Sequence, residues 1–280
     1  MQTDITDNKA IKIDIEQIIK SKNPRLAKAL PGFLIRYIKK ILHQNEINKF
    51  LEENKNLYGI DFTRAVIKLF NVKQNVIGID NIAKDKKYLF VSNHPQGGID
   101  SMCLIDNVFK NFGELRFMVN DLLLNLYNFE PIFVPINLFG GQSKEAVKKF
   151  DEVFKSNYQI LFYPAGLVSR KIKGKIQDKE WKKSFIHLAT KHQRDVVPVY
   201  IDAKNSNFFY RLANFRKFIG IKSNIEMFYL PNEMYKQNGK VFTLVFGEPI
   251  SYQTFDKTYS STYWANYVRK TVYSLKDKIL

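Results

Sequence analysis

Tyr88-Leu89-Phe90-Val91-Ser92-Asn93-His94-Pro95-Gln96-Gly97-Gly98-Ile99-Asp100 is the stretch that decides the fold. Its apolar start predicts a buried strand, and the following Ser101-Met102-Cys103-Leu104-Ile105 predicts a helix. A histidine, two glycines and an aspartate therefore share a tight strand-to-helix turn. In α/β proteins such turns carry chemistry, because rigid elements hold them at a crevice beyond the strand's carboxyl end. His94 is the natural proton acceptor near neutral pH, and Asp100 the natural group to orient it and stabilise its charged form. Gly97 and Gly98 allow the backbone to fold back so that the two side chains meet. The plainer alternative is an ordinary turn in which Asp100 only caps the next helix.

Working outward, residues from about 76 alternate between short apolar runs and amphipathic stretches. The expected strands are Val76 to Ile79, Tyr88 to Ser92, Leu115 to Val119, Ile132 to Pro135, Ile160 to Tyr163, Val196 to Ile201, Ile225 to Leu230 and Val241 to Phe246. The expected helices are Ser101 to Phe109, Ser143 to Phe154, Trp181 to His192, Phe208 to Phe218 and Ser261 to Leu275. Strands separated by helices of that length predict an α/β fold with a mixed, largely parallel sheet covered by helices. The last two strands, with Asn238-Gly239 between them, read as an antiparallel addition. Residues 1–75 read as an N-terminal helical segment and 76–280 as the α/β domain. Within the first, Phe33, Leu34, Tyr37, Ile38, Ile41 and Leu42 recur at helical spacing, with Arg36, Lys39 and Lys40 opposite. Such a helix suits either a membrane interface or a soluble core.

The 280 residues suffice for one large domain, and 45% apolar with 25% charged residues excludes a disordered chain. One cysteine, Cys103, leaves no intrachain disulfide and fits a reducing compartment. No secretory signal is visible at the polar start, and no apolar run reaches the ~20 residues that span a bilayer. The expected location is cytoplasmic, peripheral on the inner face of the cell membrane. The net charge of +17 attracts polyanions: nucleic acid, an anionic leaflet or acidic small molecules. Because no nucleic-acid motif is present, nucleic acid is not an expected partner. No histidine or cysteine spacing fits zinc, and no metal is expected.

A second turn, Leu161-Phe162-Tyr163-Pro164-Ala165-Gly166-Leu167-Val168-Ser169-Arg170, again ends a buried run and is followed by Lys171, Lys173 and Lys175. Arg170 and the lysines suit an anion; a solvated basic loop is the plainer reading.

Together the two turns resemble the glycerolipid acyltransferase family, the 1-acylglycerol-3-phosphate and lysophospholipid acyltransferases. That family's first block is Asn-His-x-x-x-x-Asp and its third is Phe-Pro-Glu-Gly-Thr-Arg-Ser. Ile132-Phe133-Val134-Pro135-Ile136-Asn137 sits where the second block belongs, Val196-Val197-Pro198-Val199-Tyr200-Ile201 is similar to the fourth, and Val245-Phe246-Gly247-Glu248-Pro249-Ile250 to the closing strand. The resemblance spans roughly residues 76 to 250. Three departures stand out. Five residues rather than four separate His94 from Asp100, Ala165 replaces glutamate, and Leu167-Val168 replaces threonine and arginine. The second block also carries Asn137 where an arginine is usual. In the family these positions hold the acceptor's phosphate, so the pattern is closer to divergent bacterial members, including relatives of enzymes that O-acylate amino-acid-containing lyso-lipids.

The resemblance implies transfer of a fatty acyl group from an acyl thioester to the hydroxyl of a lyso-lipid or glycerol-phosphate-type acceptor. Coenzyme A or a carrier protein would bear the acyl group as co-substrate, with no cofactor. His94 would act as general base, held by Asp100. Asn93, Gly97, Gly98, Asn137, Gly166, Ser169, Arg170 and Lys171 are the expected substrate-binding positions. Backbone N–H groups of Gly97, Gly98 or Gly166 are the expected oxyanion donors. Two other readings remain open: a polyanion binder resting on charge alone, and a hydrolase of acyl esters or thioesters. Absence of a Gly-x-Ser-x-Gly elbow disfavours a serine hydrolase. The basic, aromatic stretch Phe208 to Ile219 adds a second segment suited to a membrane–water boundary.

Overall fold

A computed structural model describes residues 12–22, 24–120, 126–136 and 144–279. Five helices come first: α1 (Ile15–Lys22), α2 (Pro24–Ala29), α3 (Gly32–Ile41), α4 (Gln44–Glu53) and α5 (Gly59–Leu69). Strands β1 (Lys73–Ile77) and β2 (Tyr88–Ser92) lead through the first turn into α6 (Ile99–Phe112). Then come β3 (Leu115–Asn120), β4 (Phe133–Ile136), α7 (Lys144–Lys155) and β5 (Gln159–Phe162). A hairpin, β6 (Arg170–Ile172) and β7 (Lys175–Gln177), precedes α8 (Ser184–Lys191), β8 (Asp195–Asp202) and α9 (Asn207–Phe218). The chain closes with α10 (Leu230–Tyr235), β9 (Val241–Phe246) and α11 (Ser261–Ser274).

Seven strands form one sheet in the order β1-β9-β8-β2-β5-β3-β4. From β8 to β4 all neighbours run parallel. At the other edge β9 is antiparallel to β8, and β1 lies parallel to β9. The two-residue periodicity of the strands sorts their side chains onto two faces. Tyr88 and Phe90 of β2 face α5 and α6, in a core that also takes Leu51, Phe62 and Val66 from the N-terminal helices. Leu89 and Val91 face the opposite way, onto Phe185 of α8 and Val268 and Val272 of α11. The expected boundary at residue 76 thus falls inside β1, and the N-terminal helices share their core with the sheet. Among the described residues no helix is long and apolar enough to cross a membrane.

Two expectations are corrected. Ile225 to Leu230 is not a strand: residues Ile225–Tyr229 form a 3-10 turn that runs into α10, where Pro231 occupies the first turn. Proline there has its missing N–H and fixed φ matched to a helix start. Glu226 also interrupts the apolar run, and it is wholly buried because it accepts from Arg170 and Arg216. The reversed edge consequently comes from β9 returning beside β8 and not from a hairpin at Asn238-Gly239. The second correction is the β6–β7 hairpin, where the sequence signals a basic turn and no strand. Its two-residue turn has both residues at positive φ, Lys173 at 49° and Gly174 at 80°. That is the twist-compatible hairpin geometry, with lysine where asparagine or aspartate is the usual signal.

Candidate active site

His94 lies just beyond the carboxyl end of β2, between β8 and β5 in the middle of the sheet. Each neighbour of the histidine is tied down first. The Asn93 amide reaches across to β8, donating to the Ile201 carbonyl at 3.0 Å and accepting the Ile201 N–H at 2.8 Å. It thereby replaces the backbone pairing that ends at Ser92. The His94 main chain is gripped on both sides. Its N–H donates to the Asp178 carboxylate at 3.3 Å, and its carbonyl accepts the Ser169 N–H at 2.7 Å. Ser169 Oγ donates to the same Asp178 oxygen at 2.5 Å, and Trp181 Nε1 donates to the other at 2.9 Å. The imidazole stacks on Tyr163, the first residue after β5, with ring centroids 4.1 Å apart.

Asp100 closes the site. One carboxylate oxygen meets His94 Nδ1 at 3.0 Å and the Gln96 N–H at 2.9 Å. The other accepts from Gly98 and Ser101 N–H, each at 2.9 Å, and Gly97 N–H reaches both oxygens at 3.2 Å. Burial of this wholly enclosed carboxyl pushes its pKa up. The charge and hydrogen bond of His94 and the N–H groups of Gln96 and Gly97 outweigh burial, and it sits below the usual carboxylate range. The five-residue separation is absorbed by Gln96, whose side-chain oxygen accepts the Ile99 N–H at 2.8 Å at the start of α6. Gly97 is required by its φ of +106°, and any Cβ there would come within 2.8 Å of Val168. Gly98 has an extended φ of −168°, so what excludes a side chain there is space taken by Met234.

Asp178 went unnoticed in the sequence. Burial raises its pKa, against the hydrogen bonds from Ser169 and Trp181. It is brought under His94 only by the return of the β6–β7 hairpin, and nothing in Gln177-Asp178-Lys179 signals that role.

A cavity of about 430 Å³ opens against the pair, lined by His94, Gly97, Gly98 and Gly166. Phe50, Val66, Phe129, Phe133, Leu230 and Tyr235 make its lining largely apolar. The polar side chains on its lip include Lys182 and Ser184. Its size and lining are those of a site for an apolar ligand.

The expected site residues therefore divide. His94, Asp100, Gly97, Gly98 and Gly166 come together. Asn93 and Ser169 are buried supports of His94 and do not line the cavity. Arg170 is not an open anion site: its guanidinium is buried, donating to Glu226 at 2.7 Å and to the Val168 carbonyl at 2.6 Å. The reason is strand alternation, which turns Arg170 inward and leaves Lys171 exposed on the hairpin, away from the cavity. Asn137 lies outside the described residues. The expected oxyanion donors are also spent, since Gly97 and Gly98 N–H serve Asp100 and Gly166 N–H serves the Tyr163 carbonyl at 3.0 Å. Cys103 is buried, and burial pushes its thiol up, away from nucleophilic use. Among the described residues no group of three or more His, Cys, Asp or Glu side chains is placed to hold a metal ion.

The family model described as acyltransferase matches residues 17–280. Lyso-glycine lipid O-acyltransferase of Bacteroides thetaiotaomicron is 46% identical over 272 residues, covering 97% of this chain and all of that protein. The protein of the same name from Phocaeicola vulgatus is 44% identical, covering 97% of this chain and 98% of its own length. The crystal structure of the 1-acyl-sn-glycerophosphate acyltransferase from Thermotoga maritima is similar in fold, with a TM-score of 0.50 and 18% identity over 93% of each chain.

The lowered Asp100 pKa fixes the sign of an acid effect. A depressed carboxyl contributes stability that is complete above its unfolded value of about 3.9 and is lost as pH falls through its folded value. Asp100→Asn should therefore cost most near neutrality, with the gap to the native protein closing below about pH 4 in urea unfolding. A gap independent of pH would contradict this.

Proposed function

This chain belongs to the glycerolipid and lyso-lipid acyltransferase family, and we propose that it transfers a fatty acyl group from an acyl thioester to the hydroxyl of an amino-acid-containing lyso-lipid. The observation that carries the reading is the His94–Asp100 pair, with His94 on the wall of an apolar cavity. Nδ1 is committed to Asp100, which leaves Nε2 as the basic atom. A lyso-lipid hydroxyl is a weak nucleophile at neutral pH. Nε2 takes its proton as the oxygen attacks the thioester carbonyl, and the imidazolium is stabilised by the buried carboxylate. As the tetrahedral intermediate collapses, the C–S bond breaks and the imidazolium returns the proton to the leaving thiolate. The acyl chain lies in the cavity, where each buried CH₂ contributes about 0.8 kcal/mol.

The choice of acceptor rests on the residues that stand at the family's phosphate positions. Positions that the family uses for phosphate carry Leu167, Val168 and Asn137, and Arg170 is bound to Glu226. The two relatives named for a glycine lipid support an acceptor whose headgroup is an amino acid. Incubation of an acyl thioester with lyso-glycine lipid and with lysophosphatidate tests the reading. The expected result is thiol release that requires the amino-acid acceptor, and a fall of about 10²–10⁴ in rate for His94→Ala with an unchanged melting curve. Thiol release without any acceptor would point to a hydrolase. Full activity of His94→Ala would end the assignment of the base.

Such an enzyme must meet its acceptor at a bilayer. In α3, Phe33 is 66% exposed and no residue is buried. Tyr37 on the same helix meets Tyr229 of the 3-10 turn, hydroxyl to hydroxyl, at 2.8 Å. Phe208 of α9 packs edge-on against Tyr229 with ring centroids 5.0 Å apart; Phe208, Phe215 and Phe228 are about half exposed, and Phe218 of α9 is 87% exposed. Arg36, Lys39, Lys40, Arg211 and Lys217 belong to the same two helices. Aromatic rings at the interface and cations against anionic headgroups make this the docking face. In flotation, the protein should rise with vesicles containing anionic lipid, and Phe218→Asp with Phe33→Asp should leave it at the bottom. Flotation of the double variant equal to the native protein would contradict this face.

A further inference from the structure

The cavity shares two of its lining residues with a neighbouring groove of different character. Lys182 and Ser184, on its lip, also line a shallow outer groove of about 790 Å³ between the start of α8 and the start of α11. Lys183, His187, Ser261 and Thr262 line the rest, with Glu180 the one carboxylate among the described residues there. The ion pairs of the described residues are made elsewhere, and none involves Lys182 or Lys183. Leu230 and Tyr235, which also line the cavity, belong to α10, which continues the 3-10 turn of the aromatic face. The cavity therefore borders the aromatic face through α10 and a cationic, hydroxyl-lined groove through Lys182 and Ser184.

That asymmetry matches the chemistry of the two reactants. A lyso-lipid arrives from a bilayer, through apolar surface. An acyl thioester made in water carries its apolar chain at one end and, beyond the sulfur, a long amide-containing arm that ends in phosphate. The chain needs the dry cavity, while the arm needs polar partners and a cation beyond the lip. We infer that the groove bordered by Lys182, Lys183, His187, Ser261 and Thr262 seats the phosphate-bearing pantetheine arm of the acyl donor. The inference rests on the acyl-transfer reading above and adds to it the route by which the donor enters and the thiol leaves. Ammonium groups serve phosphate as mobile point charges, and hydroxyls serve as hydrogen-bond donors to its oxygens. The pantetheine phosphate is common to coenzyme A and to carrier proteins, so both sources share the site.

Steady-state kinetics with three donors of the same acyl length test it: acyl-coenzyme A, acyl-carrier protein, and the acyl thioester of N-acetylcysteamine, which has the sulfur and one amide but no phosphate. Lys183→Glu and Thr262→Glu place opposing charge in the groove at two exposed positions, outside the cavity. Each should raise KM for a phosphate-bearing donor roughly tenfold more than for the N-acetylcysteamine thioester, with KM for the lyso-lipid unmoved. A penalty on one phosphate-bearing donor only would support the site and identify its carrier. An equal change for donors with and without phosphate would overturn the inference, as would a rise confined to KM for the lyso-lipid. Failure of the native protein to transfer from any of the three donors would instead overturn the acyl-transfer reading itself.

Discussion

A carboxylate with no exposed surface must have its charge met from every side, and the turn around Asp100 is built by that requirement. Four backbone N–H groups and one imidazole nitrogen converge on its two oxygens. Three of those N–H groups come from the consecutive residues Gln96, Gly97 and Gly98, and the turn that gathers them requires the positive-φ conformation of Gly97. The start of α6, the fold of the turn and the orientation of His94 follow from the same oxygens. The second buried carboxylate, Asp178, does for the His94 backbone what Asp100 does for its ring, and Ser169 links the two strand-end turns through it. The imidazole is held in turn by Asp100 at Nδ1 and by its stack on Tyr163.

The cations are divided by burial between structure and surface. Arg170 and Arg216 both donate to the buried Glu226, which fixes the 3-10 turn against α9 and the β6–β7 hairpin. Removing either partner would strand a charge away from water, which is costly. This network supports the segment that carries Phe228 and Tyr229, and so the aromatic face stands on an ionic base. The lysines left outside it supply the positive field that a +17 chain offers to anionic surfaces and anionic substrates.

Much of this was legible in the chain. The strand and turn at Tyr88 to Asp100 could be read because buried parallel strands are continuous apolar runs and because the pairing partners, His94 and Asp100, are local. The pairing of Lys73 to Ile77 with Val241 to Phe246 was not, since an edge partner distant in sequence leaves no local mark. Arg170 was misread for a physical reason: in Arg170-Lys171-Ile172 the side chains alternate, so a basic run divides into one buried and one exposed member once it becomes a strand. Ile225 to Leu230 looked like a strand by composition, and its buried glutamate signals a partner only when both arginines are in place. Asp178 and the lip residue Lys182 are placed by the hairpin's return and by the approach to α8, which spacing alone does not encode.

The state of the His94 ring tests the central claim most directly. Nitrogen-15 NMR of the histidine-labelled protein, with and without Asp100→Asn, reports which ring nitrogen carries the proton and whether it is hydrogen-bonded. The account predicts that Nδ1 carries the proton held by Asp100, strongly deshielded and lost in Asp100→Asn, with Nε2 left as the accepting nitrogen. A ring protonated at Nε2, with resonances indifferent to Asp100→Asn, would contradict it.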